Sequence, residues 1–151
     1  MAVVKSSLKG YDELIARLRT ISDAKVIRKN GRKASKVALT PMYRDVKARA
    51  RMLDRPITPH QRIWRNISLR NRRNRSDSVG SRIGVRGGAK KGQGVGLAGG
   101  DTFYWRFLEF GTRHAKAKPF MRPAFNANVK SAEKNFAVEF NKLLKASGSV
   151  K

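Results

Sequence analysis

A chain of 151 residues is long enough for one domain, and a domain of that size buries about two thirds of its unfolded surface. Its 40% of hydrophobic residues lies a little under the globular norm of roughly 45–50%, and 35 Lys and Arg face 10 Asp and Glu, a net charge of +25. That imbalance costs self-repulsion and points to a polyanion or an acidic protein as neighbour. The absence of cysteine excludes a disulfide framework and a thiolate metal site. No apolar run approaches the roughly 20 residues that span a bilayer, and the first residues hold no apolar signal-type core, so a soluble, intracellular chain is expected.

Val3, Val4 and Leu8, bounded by Gly10, form a short β-prone opening. Asp12 and Glu13 stand where a helix N-terminus favours negative charge, and Leu14, Leu18 and Ile21 recur at helical spacing. A first helix is predicted from Tyr11 to about Ile21. A longer one follows, because Ile27, Ala34, Ala38, Met42, Val46, Ala50 and Leu53 trace one apolar stripe with Lys and Arg on the opposite face. Pro41 lies inside the stripe and removes a backbone donor, so a kink or break is expected between Val37 and Pro41. Pro56 and Pro59 close this helical half.

From Arg62 to Lys91 ten Lys or Arg stand against a single acid, Asp77. Ile63, Ile67, Leu69, Val79, Ile83 and Val85 are scattered among them, nearly alternating at Ile67/Leu69 and Ile83/Val85. Two or three antiparallel strands are predicted, joined by a turn around Asn74 to Ser78. Gly87 to Gly100 contains seven glycines and few side chains to bury, the composition of a mobile loop.

Phe103, Phe107 and Phe110 share one helical face, with Tyr104 and Leu108 beside it and Arg106 and Glu109 on the other. Gly111 is placed to end that turn in the left-handed conformation. Val129, Ala132, Phe136, Phe140, Leu143 and Leu144 define a C-terminal amphipathic helix, with Pro123 in its first turn and Gly148 just past its end. Phe107 and Phe110 are expected to pack on it through Phe136 and Phe140. The whole reads as one α+β domain over residues 1–151, a small antiparallel sheet packed against a long N-terminal helix and a C-terminal helix.

Catalysis has little to stand on. The acids are dispersed, His60 and His114 are the only imidazoles, and no cluster has metal-ligand spacing, so neither an enzyme nor a cofactor site is expected. The glycine run lacks the Gly-Lys-Ser/Thr ending of a phosphate loop. The basic segment is the candidate interface: Arg62, Arg65, Arg70, Arg72, Arg73, Arg75, Arg82, Arg86, Lys90 and Lys91. Arginine donates two hydrogen bonds to a phosphate at once. Trp64 is the one aromatic available to stack on a base, so contact with a nucleic acid would be to its backbone. A solvated face that pairs with acidic neighbouring subunits fits the same residues equally well. Glu109 either pairs with Arg106 one helical turn back or serves as an interface or capping residue near Thr112.

Two strings carry a resemblance: Tyr104 with Leu108-Glu109-Phe110-Gly111-Thr112, and Pro119-Phe120-Met121-Arg122-Pro123-Ala124. With Gly10-Tyr11-Asp12-Glu13-Leu14 and the basic, alanine-containing helix from Arg28 to Ala50, they resemble the tail-completion, or head–tail joining, proteins of long-tailed bacteriophages. The pieces span nearly the whole chain in that family's order. One connection departs from it, since Thr58-Pro59-His60-Gln61 stands where the family has a Thr-Gly-containing stretch. The resemblance implies a structural virion protein of the neck, a connector made in the host cytoplasm. It implies a homo-oligomeric ring, a hexamer by the tail's symmetry, partnered by the tail terminator and neck proteins; in such a ring the basic segment would face channel DNA, without sequence preference, or acidic protein neighbours. The alternative from composition alone is a ribosomal or other sequence-independent nucleic-acid-binding protein. The two strings after Phe103 separate the readings, because an RNA-binding extension has no use for them.

Overall fold

The computed structural model describes residues 23–53, 61–72, 79–87 and 90–148. The β-prone opening, the helix predicted over 11–21, Pro56, Pro59, His60 and the turn at 74–78 lie outside the described residues. Helix α1 (Ala24–Leu53) is followed by a helical turn, α2 (Ile63–Asn66), then strands β1 (Ile67–Asn71) and β2 (Ser81–Val85), a short helix α3 (Trp105–Phe110) and the long α4 (Met121–Gly148). The α+β architecture is the one expected.

Asp23 starts α1, its carboxylate accepting the backbone N–H groups of Lys25 at 2.8 Å and Val26 at 3.4 Å. The predicted stripe is the buried one: Ala34, Ala38, Met42, Val46 and Ala50 all lie in the core. The helix runs unbroken through Pro41, so of the expected kink or break the break does not occur. Pro41 and Val37, whose carbonyl loses its donor, sit on the exposed face, where water can replace the missing hydrogen bond.

Helices α1 and α4 pack antiparallel, as their cross-links show. Asn30 near the start of α1 donates to Ser147 Oγ at 3.0 Å, whereas Asn128 near the start of α4 donates to Asp45 Oδ2 at 2.8 Å. Phe136 and Phe140 stack on one another along α4, their ring centroids 5.6 Å apart. The helix includes Gly148 rather than stopping before it.

The hairpin pairs Ile67 with Val85 and Leu69 with Ile83, so the two near-alternating runs do face each other across the ladder. Ile63 is not part of a strand; it sits in α2, almost wholly buried. Met42, Val46, Ala50, Ile63, Ile67, Phe120 and Ala124 form the central core, with Ile83, Val85, Tyr104 and Leu108 packed around it. Full burial of residues such as Ile63 and Phe120 stabilises by about 1.5–3 kcal/mol each. Among the described residues no helix is long and apolar enough to cross a membrane.

Candidate functional site

The two motif strings meet at one carboxylate. Helix α4 begins after Phe120, a residue with no side-chain oxygen to cap it. A helix start leaves four backbone N–H groups without partners inside the helix. Here Phe120 and Met121 donate to Glu109 Oε2 at 2.8 and 3.0 Å, Arg122 donates to Oε1 at 3.0 Å, and Pro123 has no N–H. All four positions are thereby accounted for. Glu109, 2% exposed, is a cap supplied from another helix. Arg122 is an ionic partner of it, with Nε 3.3 Å from Oε1 and Nη2 donating to the Glu109 carbonyl at 2.6 Å. Burial pushes the Glu109 pKa up, but the N–H groups of Met121, Phe120 and Arg122 and the Arg122 side chain outweigh it and hold the carboxyl below its usual value.

Turning Glu109 inward turns two phenylalanines out. Phe107 is 45% and Phe110 65% exposed, so the expected packing on Phe136 and Phe140 does not occur. Arg106 lies 5.9 Å from the Phe107 ring centroid and Arg122 5.3 Å from that of Phe110. Phe103 meets Phe107 edge-on. Leu108 packs inward on the core. Gly111 has φ +78° and ψ −178°, a positive φ as expected but beyond the left-handed helical region, in conformations only glycine adopts readily. Beyond it the chain folds back: Thr112 N–H reaches the Ala115 carbonyl, Thr112 Oγ1 accepts from Ala115 N–H, and Lys118 N–H reaches the Leu108 carbonyl at 2.7 Å. Pro119 then leads into Phe120, wholly buried.

The candidate basic residues divide. Arg73 and Arg75 lie outside the described residues, as does Asp77. Arg70 stands directly opposite Arg82, and these two line one cleft with Arg86. Arg72 continues the ladder through its N–H to Gly80 and is exposed. Arg65 is elsewhere, 5.3 Å from the Trp64 ring centroid, where Arg51 and Lys47 also stand at 5.4 and 5.7 Å. Trp64, half-buried, thus stands among the chain's own cations and packs against the core. Arg62 is half-buried, its N–H bound to the Gly99 carbonyl at 2.7 Å, while Lys90 and Lys91 are exposed at the base of the glycine run.

That run is anchored through backbone groups rather than side chains of its own. Asn66, 1% exposed, donates to the Gly100 carbonyl and Thr102 Oγ1 and accepts the Gly99 N–H at 2.9 Å. A Cβ on Gly99 would lie 2.1 Å from the Arg62 carbonyl, so only glycine fits there. Asp101 accepts the N–H groups of Gly92 and Gly94. Neither Asn66 nor Asp101 stood out in the sequence, because single polar residues outside any periodic pattern leave no signal. Among the described residues no group of His, Asp or Glu could hold a metal ion.

The described residues form a small hairpin carried on two long helices, with a basic outer face. The chain belongs to the family described as "Bacteriophage HK97-gp10, putative tail-component", whose model matches residues 12–111, about two thirds of the chain. It is a structural component of a phage tail and hence a protein of the virion. The Pro119–Ala124 string falls outside the matched span and is tied to it by Glu109. No curated protein and no solved structure matches the chain.

Proposed function

We propose that this protein completes the tail at its head-proximal end, as one ring-forming layer of the neck through which the tail attaches to the DNA-filled head. The observation that carries this reading is the tail-component family match, joined to the two motif strings that the Glu109 clasp binds into a single unit. Six copies, in register with the tail, would close the ring, with the tail terminator and neck proteins as neighbours. Its part is mechanical and electrostatic, with no covalent chemistry. A ring around a DNA channel gives 25 surplus positive charges per subunit a compensating polyanion. The basic face from Arg62 to Lys91 is the working surface in this reading, set toward DNA or toward an acidic ring above or below. The ribosomal or general nucleic-acid-binding alternative would explain the charge but not the tail-component match.

Electron microscopy of intact virions of the phage that encodes the chain tests the proposal. A sixfold layer of this protein between head and tail tube is expected, and knockout should leave full heads and free tails side by side. Virions in which the protein is absent from the neck, or joined particles made without it, overturn the reading.

A further inference from the structure

The strand register sets two like charges face to face. Arg70 pairs directly with Arg82 across the antiparallel ladder. Opposed residues of this kind hold their Cβ atoms about 4.5–5.5 Å apart, and like charges so placed are destabilising. Neither takes part in the ion pairs of Arg49 with Asp45 and of Arg122 with Glu109. Ile67, Ile83 and Val85 pack on the core, so the alternate positions Ser68, Arg70, Arg82 and Gly84 occupy the outer face. There they border an open cleft of about 530 Å³, which Ile83, Val85, Arg86, Gly87, Gln93 and Leu97 also line and no acid among the described residues does. At Gly84 a Cβ would meet nothing within 4 Å, so the floor is open to a bulky group.

We infer that this cleft binds the phosphodiester backbone of nucleic acid, with Arg70 and Arg82 as facing forks on one phosphate and Ser68, Arg86 and Gln93 around it. The inference rests on the neck reading only for where in the particle the DNA would lie. A carboxylate presents its two oxygens to one side and is satisfied by one guanidinium fork. The two non-bridging oxygens of a phosphodiester diverge, so each can accept from a different arginine across the hairpin. Arg72 follows Arg70 on the same face, about 6.8 Å further at two strand steps, a repeat close to that of successive phosphates on a strand. A nucleic acid supplies that repeat without any design; an acidic protein would need matched carboxylates. Among the described residues no aromatic lines the cleft, which makes the contact indifferent to sequence.

The test uses the full chain, short labelled DNA duplexes of two unrelated sequences, and anisotropy over a range of salt. Arg70→Ser/Arg82→Ser is compared with Lys130→Ser/Lys142→Ser, which removes the same charge from exposed positions on α4. The hairpin variant should bind both duplexes at least about tenfold more weakly. Its plot of log affinity against log salt should be shallower by about 1, the loss of one phosphate contact. The control should change by no more than about threefold. Equal losses in the two variants would reduce the effect to net charge and overturn the inference. So would polyglutamate displacing DNA at lower charge concentration than unlabelled DNA does. If the serine variant melts early, Arg70→Lys/Arg82→Lys keeps the charge and loses the forks. It should bind several-fold more weakly, and wild-type affinity for it would equally overturn the inference. Absence of the protein from virion necks, with the cleft still binding DNA as stated, would sink the neck reading and leave this one standing.

Discussion

Glu109 shows how one side chain can join two stretches of sequence. Its carboxylate takes the N–H groups that Phe120 cannot cap, and it is buried while doing so. Glu109→Ala should therefore cost about 2–4 kcal/mol, from lost capping and from buried donors left unmade, and thermal unfolding would measure it. Arg122 adds less than its geometry suggests, because its side chain is largely exposed. The pH dependence follows from the depressed carboxyl pKa. A group whose folded pKa is lowered contributes stability above its unfolded value, about 4.3 for Glu, and that contribution is lost as pH falls through the folded pKa. Wild type should thus lead Glu109→Gln in melting temperature near neutral pH, and the gap should close under acid. A gap that is constant with pH would show that the charge is not what caps the helix. Two residues on, Gly111→Val should disrupt the clasp, since a β-branched residue is strained at φ +78° and its Cβ would lie 2.9 Å from the Ala117 nitrogen. A variant with unchanged melting temperature and normal tail joining would count against this.

At the scale of elements, the hairpin and the glycine run behave as one piece because Asn66 stands between them. It terminates α2, its carbonyl accepts Arg86 N–H from beyond β2, and its side chain holds Gly99, Gly100 and Thr102. Asn66→Leu keeps roughly the volume and removes every one of those side-chain bonds, leaving the buried Gly99 N–H unmade at about 1–3 kcal/mol. Amide exchange should quicken across residues 92–100 while α4 stays protected. Exchange in the wild type as fast as in an unfolded peptide would mean that the anchoring bonds do not hold in solution. Sequence reading placed α1, both strands and α4 well, since each rests on a periodic apolar pattern that survives without tertiary context. It placed α3 correctly along the chain but rotated it, because three aromatics on one face outweigh a lone glutamate in any hydrophobic count.

For the whole molecule the decisive quantity is charge. Ten cations between Arg62 and Lys91 cannot be neutralised by one acid, and the remaining nine acids are spread along the chain. Replacing Arg70, Arg72, Arg73 and Arg75 with Ser should leave folding nearly intact, because the two that the structure describes are exposed. The same variant should produce heads and tails that fail to join. Infectious titre and a count of unjoined particles would measure it, and normal joining would show the basic face to be passive. The sequence by itself determined the α+β class, the buried stripe of α1, the strand pairs and the phage-tail kinship, all local or periodic properties. Only the tertiary structure decided that Glu109 caps α4, that Phe107 and Phe110 face solvent, that Trp64 is enclosed by cations, and that Arg70 meets Arg82 over an open cleft. Each of those depends on which distant groups arrive beside a residue. A carboxylate can be buried only where N–H donors are waiting for it, and spacing along the chain does not say where those donors will be.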